Sequence, residues 1–94
     1  MNTFNKEYNT HKDNLELYVP VVARVHGPTH PEFYEVKEVY DAMIQKLDND
    51  ESNLKENFEK FRLITSNYKV PEDTCETYEA VYNMLEKLDK AYFE

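Results

Sequence analysis

The stretch Phe33-Tyr34-Glu35-Val36-Lys37-Glu38-Val39-Tyr40-Asp41-Ala42-Met43-Ile44-Gln45-Lys46-Leu47 decides the fold. Phe33, Tyr40 and Leu47 recur at intervals of seven, as do Val36 and Met43 with Ile44 beside them, while Glu35, Lys37, Glu38, Asp41 and Gln45 take the other face. This spacing predicts an amphipathic helix with one stripe to bury. Upstream, Gly27, Pro28 and Pro31 form the clearest break, with Gly27 suited to the left-handed residue after one helix and Pro31 to the first turn of the next. Before the break, Phe4, His11, Tyr18 and Val25 recur every seven residues beside Tyr8, Leu15 and Val22, so a first helix is expected from roughly 3 to 26. Pro20 removes one donor and crowds the carbonyl of Glu16, which predicts a kink there or two shorter helices meeting near Val19.

Downstream, Asp48-Asn49-Asp50 reads as a polar turn with N-cap oxygens, followed by Leu54, Phe58, Phe61 and Ile64 on one face of a third helix. None of residues 48 to 50 forbids helix, so three helices with a long central one are the alternative. Asn67 to Val70 makes the next connection. Pro71 is expected to open a fourth helix, with Glu72 and Asp73 at its positive end and Tyr78, Val81, Leu85, Leu88 and Tyr92 as its seam. The expected architecture is all-α: an antiparallel four-helix bundle in one domain, residues 1–94.

Composition agrees. Ninety-four residues with 40% apolar content suit one small core, and eight Tyr with five Phe supply large buried areas. Eleven Lys and Arg against nineteen Asp and Glu leave a net charge of -8, which argues against nucleic acid or an anionic membrane as partner. Apolar runs such as Val21-Val22-Ala23 fall far short of the roughly 20 residues that cross a bilayer, and no signal-peptide core opens the chain, so a cytoplasmic location is expected. Cys75 is the single cysteine, too few for an internal disulfide or a structural zinc site.

The three histidines are the candidates for chemistry. His11 has Glu7 one turn before it, a spacing at which imidazole and carboxylate can share a proton or a metal. His26, His30 and Glu32 form a loop cluster that reads first as loop capping and second as a weak metal site. Helices three and four contain no histidine, and a His-x-x-x-Glu pair is missing. Cys75 is expected in the first turn of the fourth helix, where Glu72, Asp73 and Glu76 oppose a thiolate, so it reads as a buried structural cysteine. Glu35 with Glu38 and Glu76 with Glu79 read as wet helix faces. No catalytic residue is assigned, and a role other than catalysis is expected.

Arg24-Val25-His26-Gly27-Pro28-Thr29-His30-Pro31-Glu32-Phe33 resembles the Val-His-Gly and His-Pro-Glu-Leu segment of the iron-sulfur cluster repair di-iron proteins, the RIC or ScdA-like family with a hemerythrin-like bundle. Leu63-Ile64-Thr65-Ser66-Asn67-Tyr68, then Pro71 through Tyr78 with Cys75, and Tyr82, Leu85 and Leu88, are similar to the family's Thr-Asn-Asp-Tyr, its Pro-x-x-Ala-Cys-x-Thr-Tyr and the helix after it. The signature positions are His26, Gly27, His30, Pro31, Glu32, Pro71, Cys75 and Tyr78. The resemblance implies a bundle whose members hold two irons and help restore clusters damaged by oxidative or nitrosative stress.

The family's ligands carry over incompletely. Leu47-Asp48-Asn49-Asp50-Glu51 stands where the His-Met-x-Lys-Glu-Glu segment is due, and the Glu-His opening the next helix falls near Asp50-Glu51 without its histidine. The final His-x-His-x-Glu-Asn segment would follow Glu94, and an early ligand histidine falls at Asn5, with His11 as a shifted alternative. Two expectations follow from the resemblance. One is a ligand-depleted relative serving as a helical interaction module, pairing with itself or with a full-length repair protein. The other is a compact iron-binding repair protein with a site rebuilt from Glu7, His11, His26, His30 and Glu32.

Overall fold

Four helices run up, down, up and down in a computed structural model that describes residues 2–94, apart from the Asn2 side chain. They are α1 (Asn2–His26), α2 (Glu32–Asp48), α3 (Lys55–Thr65) and α4 (Glu76–Tyr92). The break after Asp48 is present, so the long central helix does not form. α1 packs most extensively on α4, α2 on α3, and α1 on α2. Aromatic pairs fix the directions. Phe4 at the start of α1 meets Tyr92 at the end of α4 (5.7 Å), whereas Phe33 at the start of α2 meets Tyr78 at the start of α4 (5.1 Å).

The core has two aromatic ends joined by aliphatics. Phe4, Phe58 and Tyr92 pack edge-on or tilted at one end, and Phe33, Tyr78 and Tyr82 at the other. Leu15, Val19, Val36, Met43 and Leu85 are fully buried. Burying a Phe or Leu side chain stabilises by roughly 1.5–3 kcal/mol, so this interior supplies the main term in a chain of this size.

Several local expectations are corrected. α1 is one continuous helix through Pro20, not two meeting near Val19. Pro20 and Glu16 are both exposed, on the face where water can reach the carbonyl that proline leaves unbonded. Val25, expected on the seam, is 59% exposed, because Val19, Val22 and Ala23 turn toward the core in its place. α3 takes no N-cap from residues 48–50: its N-cap is Leu54, whose backbone N–H bonds the Tyr92 hydroxyl across the bundle (2.8 Å). α4 begins at Glu76, not at Pro71. Thr74 donates back to the Pro71 carbonyl (2.8 Å), closing a turn where the helix was expected.

The α3–α4 connection is built around one carboxylate. Ser66, Asn67 and Tyr68 all lie in the left-handed region, at φ of 54°, 62° and 65°. Side chains other than Gly adopt that conformation at a cost, so it persists only where neighbours hold it. Here the Tyr68 N–H bonds Thr65 Oγ1 (2.8 Å), and the Tyr68 hydroxyl donates to Asp89 Oδ2 (2.7 Å). Arg62 reaches Asp89 with both Nε and Nη2, and Phe93 stacks over its guanidinium at 4.8 Å. Asp89 is only 4% exposed. Tyr40 is the opposite case, its buried hydroxyl having no hydrogen-bond partner among the described residues.

These two hydroxyls predict opposite mutational signs. Asp89→Ala strands the Tyr68 hydroxyl and releases Arg62, and is expected to lower unfolding free energy by about 3 kcal/mol in urea titrations. Tyr40→Phe removes an unpaired polar atom and is expected to raise it by about 1 kcal/mol. A destabilised Tyr40→Phe variant would show that the hydroxyl has a partner in solution.

A second expectation concerns alkali. Burial is the first cause raising the phenol pKa of Tyr8, Tyr40, Tyr68, Tyr78 and Tyr82 above the ordinary 10.0. The folded state keeps protons that the unfolded chain gives up, so the stability from neutral phenols is full below pH 10.0 and declines as pH rises toward the folded values. Phenolate absorbance should rise cooperatively with loss of helical circular dichroism. Ionisation of these five in a still helical protein would contradict the burial argument.

Candidate functional site

α1 ends at His26, whose carbonyl accepts from the backbone N–H of Thr29 (3.1 Å) and of His30 (2.7 Å) and from the Thr29 hydroxyl (3.2 Å). Gly27 is not left-handed, contrary to expectation. It is needed for room: a Cβ there would overlap the Ala23 carbonyl and the Tyr34 ring, which lies against the glycine. Pro31 is the N-cap of α2 at φ -61°, without a side-chain cap, and Glu32 and Glu35 stand in the first turn, where the helix dipole favours negative charge. This compact turn presents His26 and His30 toward the start of α4.

The connection before α4 meets them. His30 Nε2 lies 2.9 Å from Asp73 Oδ1 and its Nδ1 lies 3.2 Å from Glu32 Oε2, so one ring joins two loops. His26 Nε2 lies 3.2 Å from Cys75 Sγ. Both imidazoles set their edges on Tyr78, at 5.5 and 5.7 Å between centroids. The Tyr78 hydroxyl in turn meets that of Tyr82 at 2.9 Å. Burial raises the Tyr78 pKa first, followed by the Tyr82 hydrogen bond and the negative field of Glu32 and Asp73. Cys75 is exposed, at the N-cap of α4 and not buried inside its first turn.

The bundle end therefore unites His26, His30, Glu32, Cys75 and Tyr78 of the expected set, with Gly27 and Pro31 shaping the loop that carries them. Pro71 stays in the connecting loop, short of the helix it was expected to open. Glu7 and His11 stand apart: His11 Nε2 pairs with Glu7 Oε1 at 3.2 Å within α1, and fifteen helical residues, about 22 Å, separate it from His26. A site combining His11 with His26 and His30 is thus not assembled. Asp73 is the partner that sequence reasoning missed, since it was assigned to a helix dipole. Asp89 was also missed, although a carboxylate four residues after Leu85 and three before Tyr92, on an apolar seam, was an available signal.

The residues present do not fit a two-iron centre. Among the described residues no group of three or more His, Cys, Asp or Glu side chains is arranged to hold a metal ion. Asn5, Asp50 and Glu51, which stand near the family's ligand positions, are exposed, and the interior between the helices is closed by aromatic and aliphatic side chains. The cluster is suited to fastening two loops: its hydrogen bonds run from the α1–α2 turn to the α3–α4 connection.

No family model matches this sequence, and no solved structure matches it. Curated proteins do. The iron-sulfur cluster repair protein ScdA of Staphylococcus haemolyticus is 28% identical over 115 residues, covering 86% of this chain and 52% of that protein. ScdA proteins from two strains of Staphylococcus epidermidis are each 23% identical over 111 residues, covering 82% of this chain and 50% of theirs. The matched stretch of each relative is longer than this whole chain of 94 residues, so the relatives carry residues within it that have no counterpart here. The chain spans about half the length of the curated relatives it matches. No helix is long and apolar enough to cross a membrane among the described residues. Over most of its length this four-helix chain is a distant homologue of proteins named iron-sulfur cluster repair protein ScdA.

Proposed function

We propose that this protein acts in iron-sulfur cluster repair under oxidative or nitrosative stress as a helical interaction module, without a di-iron centre of its own and without catalysis. The observation that carries the reading is the engagement of the signature histidines. Both ring nitrogens of His30 face carboxylates, and His26 faces a thiol, so the imidazoles hold the bundle end together. The ScdA relatives support the process, and the closed aromatic interior supports the absence of an internal iron site. The partner on this reading is a full-length repair protein or a second copy, in the cytoplasm.

Elemental analysis decides it. Protein purified anaerobically after iron supplementation, and again after chelation, should hold well under one iron per chain while remaining helical. Two irons per chain, with a matching optical spectrum, would overturn the reading and establish a compact iron-binding repair protein.

A further inference from the structure

Along the outer side of α2 and α3 runs a groove that the bundle end does not use. Glu35, Glu38, Val39 and Ala42 form one wall, at helical spacings of three and four, and Lys60, Leu63 and Ile64 form the other, around a hollow of about 360 Å³. Asn57 also lines the hollow, its side-chain oxygen accepting from Lys46 Nζ (2.8 Å). Ile64 is shared with a second hollow of about 300 Å³ that continues past Glu32 toward Glu72. From Asn57 to Thr65 the groove follows α3 for about 12 Å, a little over two helical turns.

Leu63 is 83% exposed, the most exposed large apolar side chain among the described residues, and stands on the lip of this groove. A scattered exposed leucine needs no explanation, but here it adjoins an apolar floor of Val39, Ala42 and Ile64. The rim is charged unequally. Glu35 and Glu38 on one wall and Lys60 on the other make no salt bridge among the described residues, so the α2 side of the rim is acidic and the lining carries two acids to one base. With a net charge of -8 the chain repels a second copy of itself and attracts a basic segment.

We infer that the α2–α3 groove docks a basic amphipathic helix of a partner protein, its apolar stripe on Val39, Leu63 and Ile64 and its Lys or Arg flank on Glu35 and Glu38. This deepens the interaction-module reading by naming the surface and the partner's chemistry. Helix-in-groove recognition needs anchors spaced at i, i+3 or i+4, and i+7, which match the two walls.

The probe is a synthetic helical peptide with leucines at those spacings and lysines along one flank, compared with the same peptide carrying glutamates there. Titrated into the full chain and followed by backbone amide shifts, the lysine peptide should perturb Val39, Ala42, Leu63 and Ile64. Leu63→Gln, and separately Glu35→Gln with Glu38→Gln, should each weaken it about tenfold. Circular dichroism should show all variants folded, since the three positions are exposed. Unchanged affinity in the variants, shifts confined to other faces, equal binding of the glutamate peptide, no binding at millimolar concentration, or occupation of the groove by a second copy in sedimentation would each overturn the proposal. Iron content is read separately, so docking in a protein with two irons would uphold the groove and reject the module reading.

Discussion

Asp89 is the group on which the arrangement of the bundle depends. The chain has a single glycine, and that glycine is fixed at the end of α1 by the closeness of the Tyr34 ring. The reversal after α3 is therefore made by Ser66, Asn67 and Tyr68 in the left-handed region. Such a turn holds only if its last residue is anchored, and Asp89 anchors it by accepting from Tyr68 while binding Arg62 at the end of α3. One carboxylate thus sets the path of the chain into residues 69–75. That path delivers Asp73 to His30 and Cys75 to His26, so the geometry at the bundle end is a consequence of a bond made in the last turn of α4.

Burying a carboxylate is costly in a core this small unless its oxygens are satisfied. Asp89 has three donors: the phenol and two guanidinium nitrogens. Arg62 is itself 41% exposed, so one end of the pair remains hydrated and only the acid bears the full desolvation. The guanidinium lies on Phe93, which extends the aromatic end of the core over the charge. A network of this kind gives little net stability against an apolar alternative, but it specifies a single path for a turn that local preferences would not select.

Much of the fold was legible from residue spacing. The stripes of α2 and α4 are buried as their seven-residue repeats required, with Phe33, Val36, Tyr40 and Met43 on one and Tyr78, Val81, Leu85 and Leu88 on the other. What spacing could not supply was the helix starts that depend on distant partners. Leu54 caps α3 because Tyr92, thirty-eight residues away, takes its N–H, and Pro71 fails to start α4 because the anchored turn places it in the loop. The bundle end was half legible for the same reason. His26, His30 and Glu32 could be grouped from their proximity in sequence, whereas Asp73 and Cys75 join them only through the long return of the chain.

The same distinction bears on what the signature histidines do. An imidazole nitrogen binds a metal through its lone pair and donates a hydrogen bond through its proton, and one nitrogen does not do both. Both nitrogens of His30 already lie within hydrogen-bond distance of a carboxylate oxygen, Glu32 on one side and Asp73 on the other. Recruiting His30 as a ligand would therefore require release of at least one carboxylate and would loosen the link between the two loops. His26 has its Nε2 at Cys75, and the Tyr78 ring against which both imidazoles lie is fixed in the core by Phe33 and Tyr82. Residues that read as a metal motif along the sequence are thus those that hold the two loops together in space. The His26 to Glu32 segment is thus engaged in bonds between two loops, while Asn5, Asp50 and Glu51 lie on solvent-exposed turns and helix surface.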